Sequence, residues 1–106
     1  MTTRLLQEAR TYEETFEKNI KREERPDFHL SPRTGWMNDP NGFSFYEGEY
    51  HLFYQYYPYD SHWSLMHWGH AVSRDLLHWK YLPAALAPDE AYDKDGCFSG
   101  SAITLP

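Results

Sequence analysis

The sequence predicts an all-β unit led by one α-helix, on three observations. Apolar residues recur at steps of three or four as far as Ile20, and Pro26 closes that pattern. Beyond it, apolar and aromatic residues fall into four short runs within roughly 45 residues, separated by turn residues, and one more run follows a loop. The aromatic residues crowd into the same region: only Tyr12 and Phe16 precede residue 26, while the other 17 follow it. At 106 residues the chain has room for one small domain with a modest core, not for two.

Residues 3–25 read as an amphipathic helix with a stripe of Leu5, Ala9, Tyr12, Phe16 and Ile20. Glu14–Lys18 and Glu17–Lys21 stand at i,i+4 in the favourable order, worth about 0.2–0.5 kcal/mol each. A stripe this narrow packs on a neighbouring domain rather than carrying chemistry. Residues 27–35 form an extended lead-in punctuated by Pro32, Thr34 and Gly35. Residues 42–46 and 49–57 are aromatic-rich strands joined at Glu47-Gly48, a tight hairpin. In the second strand both alternating faces are apolar, as a strand covered on both sides requires, with Gln55 the polar exception. A loop over 58–64 leads to a second strand pair, 66–73 and 78–82, whose turn Asp75 caps through its own backbone. Residues 83–95 read as a loop rich in proline and acids, and 98–105 as the start of a further strand.

Four short strands per unit is the rhythm of a propeller blade. One blade and the start of a second cannot close a ring, so the chain is expected to be the N-terminal piece of a longer protein. Residues 1–26 would be its leading helix and 27–106 the incomplete propeller. The competing expectation is a small self-contained sheet domain.

Charge narrows the partners. Residues 1–25 hold six basic and six acidic side chains, whereas 26–106 hold four and ten, which accounts for the net −6. An acidic, aromatic-rich body is a poor electrostatic match for nucleic acid or an anionic membrane. Aromatic faces beside carboxylates and amides suit a neutral polyhydroxy ligand such as a sugar. Cys97 is the single cysteine, which excludes a disulfide framework and a thiolate metal cage. The first residues lack the apolar run of a signal peptide, and no stretch approaches the ~20 apolar residues of a membrane span. A cytoplasmic protein is expected.

Residues 36–42, Trp-Met-Asn-Asp-Pro-Asn-Gly, carry the strongest candidate site. Pro40 biases Asp39 toward extended dihedrals and denies the chain a ladder N–H, so an ordinary central strand is excluded there. Asn41-Gly42 is a strong turn signal. The outcome is either a plain turn between elements or a carboxylate held on a stiff kink at the mouth of a strand.

Four stretches decide between these: Trp36-Met-Asn-Asp39-Pro-Asn-Gly, Phe53-Tyr-Gln55-Tyr, Met66-His-Trp-Gly-His-Ala71 and Phe98-Ser-Gly-Ser101. In this order and spacing they resemble the N-terminal part of glycoside hydrolase family 32, which contains invertases, sucrose-6-phosphate hydrolases and other β-fructofuranosidases. The resemblance runs from about Phe28 to Leu105. It implies a five-bladed β-propeller with an axial active-site funnel, and cleavage of a terminal β-D-fructofuranosyl bond of sucrose or its 6-phosphate with retention of configuration. Retention requires two carboxyl groups about 5–5.5 Å apart, one nucleophile and one acid/base. Asp39 matches the family's nucleophile. Asn38, Gln55, Trp63, Phe98 and Ser99 match positions lining the fructose pocket, and Trp36 supports the loop and touches substrate. On the residues alone, a minority reading makes Gln55 a surface strand residue, Trp63 a loop plug, and Phe98 and Ser99 the core and edge of a strand.

No cofactor is implied. His67 and His70, with His62 and His78 nearby, invite a metal reading, but an i,i+3 pair on a strand points to opposite faces, so no metal is expected. Arg74-Asp75 imitates the family's Arg-Asp-Pro motif yet is followed by Leu76 and falls in a turn, so it is not assigned that role. That motif and the family's acid/base glutamate fall beyond Pro106, so this chain alone is expected to have negligible activity. A fructosyltransferase, or a propeller that binds carbohydrate without catalysis, would use the same residues.

Overall fold

The computed structural model describes residues 3–20 and 30–103. Thr3 caps α1 (Arg4–Phe16) by accepting the Leu6 N–H at 3.3 Å, and a 3₁₀ turn over Glu17–Asn19 follows. Four strands then form one antiparallel meander: β1 (Trp36–Tyr46), β2 (Glu49–Tyr57), β3 (His67–Ser73) and β4 (Lys80–Leu86), in that spatial order. Glu47 (φ 48°) and Gly48 (φ 82°) both take positive φ at the β1–β2 turn, the geometry whose twist matches a two-residue hairpin. The hairpin and the bounds of β2 agree with the sequence reading.

Cross-strand pairs sort the sheet into two faces. Tyr54, Tyr56, Ala71 and Ala84 project to one side and form the core with Ala9 of α1. The pairs Phe53–His70 and Gln55–Trp68 lie on the other. His67 and His70 therefore stand on opposite faces, as the period-2 argument requires. The second face is less covered: Phe53 and Trp68 are half-buried, and Leu86 is exposed.

The helix packs on the sheet that follows it, but not through the whole expected stripe. Ala9 is buried while Phe16 is exposed, and the second fully buried helix residue is Glu13. The reason lies in what the helix covers. The outer edge of β4 carries backbone groups that need partners. Ala84 N–H donates to Glu13 Oε1 at 3.0 Å, and Arg10 Nε donates to the Ala84 carbonyl, also at 3.0 Å. A polar edge selects a carboxylate and a guanidinium where an apolar surface would select leucine. Burial pushes the Glu13 carboxyl above its usual range, against the opposing pull of the Ala84 N–H and of Arg33, whose Nη1 lies 3.6 Å away. Glu17 pairs with Arg33 at 3.0 Å, and its expected partner Lys21 lies outside the described residues, as do residues 22–25 of the expected helix.

Three strand expectations change. The first strand begins at Trp36 rather than 42. The fourth runs Lys80–Leu86, through Pro83, which falls in the irregularity between the His70–Leu82 and Trp68–Leu86 pairs, where the ladder is already interrupted. His78 stays in the turn because Asp75 holds it: Asp75 Oδ1 accepts the N–H groups of Leu77 and His78 at 2.9 and 2.8 Å, and Oδ2 meets His78 Nδ1 at 2.6 Å. The expected Asp75 cap is thus present, and these donors hold its carboxyl well below the usual range. Finally, residues 98–103, expected as a strand, form no regular strand, and 104–105 lie outside the described residues.

On the less covered face, His70 stacks on Phe53 with centroids 4.1 Å apart, and its Nε2 lies 3.0 Å from His51 Nδ1. Burial first, and the neighbouring His51 second, pull the His70 pKa from 6.5 down to about 4. The unfolded chain therefore binds the extra proton first as pH falls. Stability from neutral His70 is complete above pH 6.5 and is lost as pH falls through about 4. A full-length His70→Gln variant is expected to show a shallower fall of Tm with acid across that window. An unchanged slope would assign the acid loss to other groups.

Candidate active site

The site is built on the outer edge of β1, where two irregularities re-aim the chain. Met37 pairs with Tyr56 and Pro40 with Tyr54, so β1 spends three steps where β2 spends two; Asn41–Phe53 and Ser44–His51 repeat the mismatch. Each is a one-residue bulge, a device that turns side chains out of a sheet's alternation. The first bulge projects Asn38 and Asp39 into solvent. Pro40 costs no ladder bond at an edge. Asp39, expected at the mouth of a strand, lies within one.

Asp39 is exposed, and its Oδ2 accepts a hydrogen bond from Ser99 Oγ at 3.3 Å, across 60 positions of chain. Three bonds bring Ser99 there. Cys97 N–H donates to the Met66 carbonyl at 2.8 Å, Trp68 Nε1 to the Phe98 carbonyl at 3.1 Å, and Gly42 N–H to the Gly100 carbonyl at 3.1 Å. Gly42 has φ +53°, and a Cβ there would lie 2.9 Å from the Phe53 ring and 3.4 Å from Ala102. Only glycine lets β1 bulge at this point and the 98–102 segment approach it.

Behind Asp39 lies a buried amide pair. Asn41 and Gln55 are 3% and 4% exposed, and the ends of their side-chain amides lie 2.8 Å apart, Asn41 Oδ1 facing Gln55. The orientation of the Asn41 amide follows from its neighbours. Its Nδ2 donates to the Pro40 carbonyl at 3.1 Å and to Ser99 Oγ at 3.2 Å, while its Oδ1 accepts the Gln55 backbone N–H at 3.2 Å. Trp36 Nε1 donates to Asn38 Oδ1 at 2.9 Å, which ties the exposed Asn38 to its own strand.

The candidate residues thus divide. Asp39 and Ser99 touch directly, Gln55 joins them through Asn41, and Trp36 and Asn38 form a second pair on the same strand. Phe98 contributes its carbonyl to Trp68, but its ring is 68% exposed. Trp63 stands 55% exposed in the β2–β3 loop, and among the described residues no bond joins it to the Asp39 cluster. Two residues that sequence reasoning did not assign to the site belong to this cluster. Asn41 read as a turn residue, and Trp68 lay inside a quoted motif without a role. Their signal was polar or aromatic character beside Asp39 and Gln55.

The histidines disperse. His62 meets Asp60 at 3.4 Å, His67 Nδ1 meets the Leu65 carbonyl at 3.0 Å, His70 meets His51, and His78 meets Asp75. Among the described residues no three metal-ligating side chains gather. Cys97 is buried beside Asp93, and burial pushes its thiol up to about 12, which disfavours the reactive thiolate. Chemically, the cluster offers one exposed, oriented carboxylate with a hydroxyl donor at its side and a desolvated amide pair behind it.

Comparison with known proteins gives the family of the chain. The glycosyl hydrolases family 32 N-terminal domain matches residues 29–106. A sucrose-6-phosphate hydrolase of Zymomonas mobilis is 67% identical over 78 residues, covering 74% of this chain and 15% of that protein. A levanase of Bacillus subtilis is 61% identical over 79 residues, covering 74% of this chain and 11% of that protein. A mutant of a Bombyx mori family 32 β-fructofuranosidase, solved in complex with sucrose, superposes with a TM-score of 0.83 at 48% identity, covering 93% of this chain and 20% of that one. The chain therefore spans between about a tenth and a fifth of the length of these proteins. It belongs to glycosyl hydrolases family 32, within the family's N-terminal domain.

Proposed function

We propose that this chain supplies the nucleophile-bearing first blade of a five-bladed propeller that hydrolyses terminal β-D-fructofuranosyl bonds in sucrose or sucrose 6-phosphate. The observation that carries the reading is the contact between Asp39 and Ser99: an exposed carboxylate on a bulged edge, steadied by a hydroxyl donor from a distant segment. The names of the relatives support the substrate class, since they act on sucrose 6-phosphate or have been solved with sucrose.

In the proposed mechanism an Asp39 oxygen attacks the anomeric C2 of the fructosyl unit while the glucosyl oxygen leaves with a proton from the acid/base glutamate. A fructosyl–Asp39 ester forms. Water, deprotonated by the same glutamate, then opens the ester, and two inversions give net retention. Asn38, Gln55, Trp36, Trp63, Phe98 and Ser99 surround the fructosyl unit in this reading. The proton donor is not among the residues of this chain assigned to the site, so residues 1–106 alone have negligible activity: loss of general acid–base help by itself costs about 10²–10⁴-fold. Within the leading segment (1–26), α1 serves as an edge cover for the propeller unit (27–106).

The test is product analysis with the full-length protein and sucrose. Equal release of glucose and fructose, with β-fructofuranose as the first anomer seen by NMR, is expected. Glucose in excess with oligofructan build-up would assign a transferase instead. Sucrose bound but never cleaved would assign a non-catalytic carbohydrate-binding propeller.

A further inference from the structure

We propose that Asn41 is a positioning residue that sets the rotor of Ser99, so that the one hydroxyl hydrogen of Ser99 points at the Asp39 carboxylate. The inference rests on the reading of Asp39 as nucleophile.

A serine hydroxyl has one hydrogen to donate and lone pairs to accept with. Ser99 Oγ stands 3.3 Å from Asp39 Oδ2 and 3.2 Å from Asn41 Nδ2. An amide nitrogen only donates, so the Asn41 bond occupies a lone pair of Ser99 and leaves its hydrogen for Asp39. Asn41 is itself locked. Its Nδ2 also donates to the Pro40 carbonyl at 3.1 Å, and its Oδ1 accepts the Gln55 N–H at 3.2 Å. This orientation also sets Oδ1 2.8 Å from the end of the Gln55 amide, which then presents its Nε2. Turning the Asn41 amide over would leave Nδ2 only Gln55 Oε1 as partner, set Oδ1 against the Pro40 carbonyl and lose the Gln55 N–H, with no solvent at 3% exposure to make good the loss. Gln55 N–H, Asn41, Ser99 and Asp39 thus form one directed series of donors ending on a carboxylate. The bond takes Oδ2 and leaves Oδ1 for the sugar. Among the described residues, no titratable group other than Asp39 is hydrogen-bonded to this series.

A donor aimed at a carboxylate favours its ionised, attacking form and fixes its direction. An unlocked Ser99 would spend part of its time with the hydrogen turned away.

The experiment crosses Asn41→Ala and Asn41→Asp with Ser99→Ala in the full-length enzyme and reads kcat, KM and the acidic limb of the kcat/KM profile with sucrose. Asn41→Asp is nearly isosteric and keeps the acceptor for Gln55 N–H, so it remains informative if the alanine variant does not fold. With Ser99 present, either Asn41 change is expected to lower kcat about tenfold and to move the acidic limb up by about one pH unit, the size of one hydrogen bond to a charged group. KM changes little, because the lost interaction is with the nucleophile rather than the sugar. With Ser99→Ala, Asn41→Ala is expected to add less than about twofold, and Asn41→Asp only what its new charge imposes. An Asn41 effect of equal size with and without Ser99, or one confined to KM or to Tm with the acidic limb unmoved, would overturn the proposal. Failure of the underlying reading looks different: Asp39→Asn would then keep its turnover.

Discussion

Asp39→Asn in the full-length enzyme is expected to lower kcat by about 10⁴–10⁶-fold, with sucrose binding largely kept. Losses of that size follow removal of a nucleophile that acts as one unit with its acid/base partner. The substitution is nearly isosteric, and its site is exposed on an edge strand, so little folding free energy is at risk. Asn still accepts the Ser99 hydrogen bond but cannot form the ester. Steady-state kinetics together with sucrose binding to the same preparation check this. A variant with unchanged binding and near wild-type turnover would remove Asp39 from the chemistry.

Glu13→Ala carries the largest expected stability effect, a loss of about 1–3 kcal/mol, the cost of leaving a buried donor unpaired, since Arg33 keeps Glu17 as its partner. Glu13 is fully buried, accepts the Ala84 N–H on the edge of β4 and lies near the Arg33 guanidinium. Alanine leaves the Ala84 N–H without its acceptor and opens a cavity beneath α1. Glu13→Gln keeps an acceptor for Ala84 and is expected to recover part of the loss. The shift of the urea midpoint of the full-length protein measures both. A Glu13→Ala loss below about 1 kcal/mol would mean that α1 does not protect the sheet edge as described.

The two residues differ in how far the sequence exposed them. Asp39 stood out as a candidate because local chemistry marks it: proline after it, amides on either side, and three further stretches in a recognisable order. The β1–β2 hairpin was legible for the same reason, since Glu47-Gly48 sets its geometry within two residues. Glu13 was not legible. A glutamate between two turns of an amphipathic helix reads as solvent-facing, and only the placement of β4 supplies the backbone N–H that draws it inward. Asn41 was misread for a related reason. Asn-Gly is a turn signal in isolation, yet on a bulged edge strand the same pair continues β1 and buries the asparagine against Gln55. Pro83 followed the same logic on the opposite edge, where a proline expected to start a loop sits inside β4. Local rules failed where sheet position, a tertiary property, changed what a proline, an asparagine or a glutamate costs.

In the proposed mechanism the Asp39 carboxylate becomes covalently bonded to the fructosyl carbon. Acid-quenching the full-length enzyme during turnover, with its acid/base glutamate disabled to slow deglycosylation, followed by peptide mass mapping, tests it most directly. A fructosyl adduct is expected on the peptide containing Asp39, and none on that peptide from Asp39→Asn. An adduct on another carboxylate, or a reaction that releases fructose with inverted configuration and no adduct, would contradict it.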